Sequence, residues 1–182
     1  MDINIPLDIE LTTERLALRA ADLSDVDLIW EVSRFFGFND GMTWDPPDNR
    51  TDIARIVEEK RTEWKQGKHY IFTVIFKDSG QAFGCVGIRK EDTPGAWNIG
   101  FWVHPNHWGK GFAKEAAEAV IAFGFERLKA ERIVTAHAIW NKRSKRVIEK
   151  LGFTYMRENP EGFYKGGKPV PEYEYELSEN TG

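Results

Sequence analysis

Between positions 105 and 114 the chain reads Pro-Asn-His-Trp-Gly-Lys-Gly-Phe-Ala-Lys, with Gly109 and Gly111 one residue apart where a strand pattern gives way to a helix pattern. Glycines let a ligand approach the main chain closely, and the unpaired N–H groups of a first helical turn favour an anion. A phosphate or pyrophosphate is the expected occupant. Two familiar phosphate loops do not fit. A Walker A loop needs Lys-Ser/Thr after its last glycine, whereas Phe112 and Ala113 follow Gly111; a Rossmann fingerprint needs glycine or alanine where Lys114 stands. A second polar pair, Asn141 and Ser144, lies ahead of Leu151-Gly152-Phe153.

These residues need a scaffold, and the pattern supplies one. Leu16 and Leu18 alternate as a short strand, and Ser24 stands where it can cap a helix carrying Leu28, Val32 and Phe35. A loop rich in Gly, Asn, Asp and Pro fills 37–50. Thr51 is placed to cap a second helix with Ile53, Ile56, Val57, Lys60 and Trp64 at helical spacing and Gly67 at its stop. Strands are expected over 70–77 and 82–90, joined by Asp78-Ser79-Gly80, and over 97–104. A long amphipathic segment runs to Lys129, with Phe112, Ala116, Ala119, Val120 and Phe123 in one stripe and Glu115, Glu118 and Glu126 opposite. Strand 133–140, helix 141–151 and strands near 154–157 and 170–177 complete the order. The expected fold is α/β (α+β), a mixed sheet flanked by helices.

Composition bounds the partners. The 182 residues, 41% of them hydrophobic, suit one domain over 1–182 with its core at about 12–178. Twenty-five basic against 29 acidic residues give a net charge of −4, without the basic surplus of a nucleic-acid binder. The lone Cys85 excludes an intrachain disulfide, and Phe83, Val86 and Ile88 around it suggest a packed thiol. Residues 1–11 lack a basic start and an apolar stretch, and no 18-residue apolar run occurs, so the expectation is a cytoplasmic protein outside membranes. No metal is expected.

Trp108-Gly109-Lys110-Gly111-Phe112-Ala113, Asn141-x-x-Ser144 and Glu149-Lys150-Leu151-Gly152-Phe153 resemble the GCN5-related N-acetyltransferase (GNAT) superfamily. Thr12-Thr13-Glu14-Arg15-Leu16 and Tyr173-Glu174-Tyr175 resemble its RimJ/RimL-like branch. The resemblance implies a mostly antiparallel central sheet of about seven strands and acetyl-CoA as acyl donor. It implies that Gly109, Lys110, Gly111, Phe112 and Ala113 hold the CoA pyrophosphate through main-chain N–H groups. Trp102, Val103 and His104 would meet the pantetheine arm and thioester through main chain, Asn141 would contact the cofactor, and Ser144 would lie near the departing sulfur. The family pattern usually has Gln or Arg where Asn106 stands, and many relatives place a Tyr acid where Ile148 stands. Either Ser144 protonates the thiolate or no acid is needed. Dimers are frequent among the enzymes it resembles.

An amine with a pKa well above 7 must lose a proton before it attacks a thioester. Glu161, in the loop after the last helix, is the first candidate base, beside Glu172, His104 and His107. The acceptor pocket is expected from the early and late loops, with Trp44, Phe163 and Tyr164 either lining it or packing the loops down. An α-amino group titrates near pH 8, below lysine, which favours peptide or protein N-termini as acceptors. Small-molecule amines of aminoglycoside or polyamine type are the alternative; a silent CoA-binding sensor and a general nucleotide binder are further readings.

Overall fold

The computed structural model describes residues 4–179; the outermost three positions at each end of the expected 1–182 domain lie outside them. In chain order the elements are β1 (Glu10–Thr12), β2 (Leu16–Ala20), α1 (Val26–Val32), α2 (Arg50–Lys65), β3 (His69–Phe76), β4 (Ala82–Lys90) and β5 (Ala96–Val103). They continue with α3 (Phe112–Glu126), β6 (Arg132–Ala138), α4 (Lys142–Lys150), β7 (Thr154–Lys165) and β8 (Lys168–Ser178). The strands form one sheet in the order β1-β2-β3-β4-β5-β6-β8-β7.

The mixed, mostly antiparallel sheet flanked by helices is as expected, but it has eight strands and not about seven. The additional strand, β1, is only three residues long and holds through its pairing with β2, Leu11 opposite Leu18. So short a run carries no readable alternation. Two caps also differ. Asp22, not Ser24, accepts from the Ser24 N–H ahead of the short turn that leads into α1. Asn49 caps α2 by accepting from the Asp52 N–H at 2.9 Å, which places Thr51 inside the helix.

Strand alternation sorts the side chains onto two faces. Tyr70 and Phe72 meet Phe123 of α3 with ring centroids 5.6 and 5.3 Å apart, and Trp97 joins Tyr70. This is the α3 face. On the other face, Thr73 donates to the buried Asp25 carboxylate at 2.7 Å, next to Arg19. Arg19, Thr73, Cys85 and Trp102 stand opposite one another in that row. The helices are held by the usual apolar faces: Ala116, Val120 and Phe123 are buried on α3, and Ile53, Val57 and Trp64 on α2.

Among the described residues only β5 and β6 are parallel neighbours, and their register runs just from Ala96–Arg132 to Asn98–Val134. Beyond that, β5 stays with β4 as far as Val103–Gly84, while β6 stays with β8 as far as Ala138–Glu172. The sheet therefore forks between β5 and β6.

Candidate active site at the fork

The fork begins where the Thr135 hydroxyl donates to the Ile99 carbonyl at 2.9 Å, both groups buried. Since Ile99 turns its carbonyl toward β6, alternation turns the main chain of Phe101 and Val103 to the same edge, beyond the reach of the β6 register. Trp102 and His104 turn theirs to β4, and the His104 N–H donates to Phe83 at 2.7 Å. Of the three residues expected to present main chain, Val103 alone lies on the fork side, and its carbonyl already accepts the Trp108 indole N–H at 2.8 Å. Three successive strand residues cannot share one edge.

The glycine turn closes the end of β5. Gly109 and Gly111 have φ of +76° and +80°, and Gly111 is the N-cap of α3 with no side chain capping the helix. A Cβ at Gly109 would meet nothing within 4 Å, so the turn is open on its outer side. Lys110, Phe112 and Ala113 complete it, with Phe112 packed against Phe76 and Phe83. Left-handed backbone followed by uncapped helical N–H groups suits a phosphate oxygen.

Sequence reasoning gave no role to the residues that brace this turn. The Arg15 guanidinium donates to the Lys110 carbonyl at 3.3 Å, lies 4.3 Å from the centre of the Phe112 ring, and pairs with Glu115. Glu115 also accepts from the Thr13 hydroxyl at 2.6 Å and the Arg15 N–H at 2.9 Å. Although partial burial opposes it, these hydrogen bonds and the Arg15 charge hold the Glu115 pKa below the ordinary carboxylate value. Glu115 is thus an anchor and not part of a solvated helix face. The Thr12–Leu16 segment was visible as a motif, but its partner lies a hundred residues away.

On the far side of the fork, Asn141 caps α4, accepting from the Ser144 N–H at 3.1 Å. Its Nδ2 would lie 2.8 Å from a Cβ at Gly41, which lets the loop after α1 pass over it. Asn141 and Ser144 therefore come together in the first turn of α4, while Ile148 is fully buried in the core. Across the mouth of the fork, the Arg143 guanidinium lies 3.3 Å from the centre of the Trp108 ring.

The opposite face of the fork carries aromatic and acidic groups. Trp102 packs edge-on to Phe38 at 5.7 Å, and Phe38 meets Trp44 at 6.0 Å. Lys165 reaches from β7 to the Trp44 carbonyl at 2.6 Å. Phe163 is buried and Tyr164 exposed, on opposite faces of β7, so they do not line one surface together. Alternation through the β6–β8 pairing puts Glu172 and Glu174 on the Trp102 face, because their partners Ala138 and Ala136 alternate with the α3-facing Ile133, Thr135 and His137.

The four candidate bases separate clearly. Glu161 is exposed and belongs to β7, not to a loop: the register of β7 on β8 slips between Asn159 and Phe163, and Glu161 sits on that bulge. Pro160 and Gly162 hid this strand from pattern reading. His104 is buried, its Nδ1 accepting from the Asn106 N–H at 3.2 Å and its Nε2 3.3 Å from Glu31. His107 packs edge-on to Phe76, Phe83 and Phe112. Glu172 is half-buried; burial first, then the Glu174 charge, raises its pKa above the ordinary carboxylate value. Glu174 itself is held low by Arg157, with Asn159 adding a hydrogen bond against partial burial. Glu172 and Glu174 are thus neighbouring carboxylates on one face of β8 whose pKa values are pushed apart.

The model of the GNAT acetyltransferase domain matches residues 15–154, and the chain belongs to that family of acetyl-CoA-dependent N-acetyltransferases. Its fold is that of the RimJ/RimL-like branch: it superposes on the RimL ribosomal L7/L12 alpha-N-protein acetyltransferase in complex with coenzyme A at a TM-score of 0.84, with 18% identity over 93% of this chain and 98% of that one. The ribosomal-protein-S5-alanine acetyltransferase of Vibrio fischeri gives 0.81, with 19% identity over 96% and 98% of the two chains. In sequence, the uncharacterized N-acetyltransferase p20 of Bacillus licheniformis is 29% identical over 150 residues, 79% of this chain and 81% of that protein.

Proposed function

We propose that this protein, acting as one domain, transfers the acetyl group of acetyl-CoA to the α-amino group of a peptide or protein N-terminus, by direct attack in a ternary complex. The observation that carries the reading is the fork between β5 and β6. The open glycine turn of Gly109 and Gly111 lies at one side of it, and Trp102 and Glu172 lie on the face away from α3. The ribosomal-protein acetyltransferases of the same fold support a protein amine as acceptor.

In this reading the main-chain N–H groups from Gly109 to Ala113 hold the donor's pyrophosphate, and the main chain of Phe101 and Val103 lines the thioester arm. Glu172 takes a proton from the acceptor ammonium, directly or through one water; a carboxylate with raised pKa is the better base. The freed amine attacks the thioester carbon, the new N–C bond forms as the C–S bond breaks, the nitrogen gives up its second proton to solvent to become a neutral amide, and the thiolate leaves toward the first turn of α4. There the Ser144 hydroxyl supplies its proton and regains one from solvent. Trp102 and Trp44, held apart by the buried Phe38, flank the acceptor with apolar surface, which suits a peptide better than a polyamine.

Release of free CoA from acetyl-CoA, followed with a thiol reagent against N-terminal peptides, polyamines and aminoglycosides, tests the reading. Peptide-dependent release is the expected result. Release only with aminoglycosides or polyamines would move the acceptor to the small-molecule class, and acetyl-CoA binding with no release for any amine would point to a sensor.

A further inference from the structure

Arg143 is a cation without a counter-ion among the described residues. Three cations near the glycine turn have partners: Arg15, just before β2, pairs with Glu115, Lys114 with Glu118, and Lys145 with Glu149 at 3.7 Å. Among the described residues no carboxylate meets Arg143; it is held by the π face of Trp108, 3.3 Å from the ring centre. Trp108 is in turn fixed by its indole bond to Val103. The guanidinium is thereby parked at the mouth of the fork, over the residue that precedes Gly109, and Lys142 and Arg146 on the same helix form no ion pair among the described residues. A planar cation over an indole keeps its edge N–H groups free, and a phosphate is the ligand such an edge fits best.

The donor assigned under Proposed function, on which this step rests, carries a phosphate that the glycine turn does not account for. The turn and the start of α3 suit a pyrophosphate, whereas coenzyme A bears a further dianionic phosphate on the ribose 3′ oxygen. We propose that Arg143, stacked on Trp108, binds this 3′-phosphate and makes the enzyme select coenzyme A over its 3′-dephospho form. Trp108 acts as the positioning residue that keeps the guanidinium extended across the fork.

Titration calorimetry with acetyl-CoA and with 3′-dephospho-acetyl-CoA tests the assignment. The unaltered protein is expected to bind acetyl-CoA more tightly by about tenfold, the effect of one charge-assisted hydrogen bond. Arg143→Met keeps an apolar stem on the ring and removes the charge; it should abolish the preference by weakening acetyl-CoA while leaving the dephospho form unchanged. Arg143→Lys should restore part of the preference. Equal loss for both ligands in Arg143→Met would mean that the guanidinium serves the pyrophosphate, and no loss for either would leave it a packing residue; both results overturn the proposal. If the unaltered protein binds neither ligand, the donor assignment itself fails, a distinct outcome.

Discussion

Lys165 and Trp44 are joined across two segments that sequence reading could only name as loops: the Lys165 ammonium donates to the Trp44 carbonyl at 2.6 Å and to Asp45 at 3.2 Å. The bond ties the end of β7 to the loop between α1 and α2, at the end of the aromatic row Trp102–Phe38–Trp44. Lys165→Met frees that loop without touching the glycine turn. The KM for the peptide acceptor should rise about fivefold, equivalent to about 1 kcal/mol for a half-buried hydrogen bond, and the Kd for acetyl-CoA should not move. An unchanged acceptor KM would show that the latch has no part in acceptor binding.

Gly109→Val addresses the other side of the fork. Because a Cβ at this position meets nothing within 4 Å, the protein itself offers no clash. The cost is a β-branched residue at φ +76°, about 1–3 kcal/mol of backbone strain, with a side chain standing where the donor must approach. Calorimetry should show acetyl-CoA affinity reduced at least about tenfold. Wild-type affinity in a folded variant would remove the turn from the donor site.

Glu172→Gln separates catalysis from stability. A carboxyl group whose folded pKa is raised binds more protons folded than unfolded, so its contribution is fully present below the ordinary glutamate pKa and lost as pH rises through the raised value. Once ionised, Glu172 thus burdens the fold, and above the raised pKa the Gln variant should melt at the same temperature or higher. Its kcat should nevertheless fall about a hundredfold, the usual share of a general base, and the acid limb of the pH–rate profile should vanish. A parallel loss of Tm and activity would indicate a structural role only.

Cys85 should stay chemically silent. Burial, assisted by the Asp25 carboxylate, pushes its thiol pKa up to about 12, so almost no thiolate exists at neutral pH. Intact-mass measurement after incubation with acetyl-CoA alone should show no acetylated protein. A stable adduct 42 Da heavier, about the mass an acetyl group adds, would contradict direct attack and require a covalent intermediate.

What could be read locally was read well. The Asp78-Ser79-Gly80 hairpin appears with Gly80 at φ +70°, Gly67 ends α2 at φ +69°, and the apolar stripe of α3 faces the core, with Ala116, Val120 and Phe123 buried and Phe112 and Ala119 partly so. These features depend on neighbours within a few residues. The features that decide the site depend on distant ones. Arg15 and Glu115 meet only because β2 runs beside the start of α3, and Arg143 finds Trp108 only across the fork. The choice between Glu161 and Glu172 turns on burial, since both are acids in a polar stretch and only folding leaves one on an exposed bulge and the other half out of water. The length of β7 was hidden because its exposed residues, Pro160 and Gly162 show no period-two pattern.

The most direct test of α-amine transfer at this fork is acetylation of one peptide that carries both a free N-terminus and an internal lysine, with the position of the acetyl group read by tandem mass spectrometry. The account predicts acetyl on the α-amine, dependent on acetyl-CoA and lost in Glu172→Gln. Acetyl on the lysine side chain, or a yield unaffected by Glu172→Gln, would contradict it.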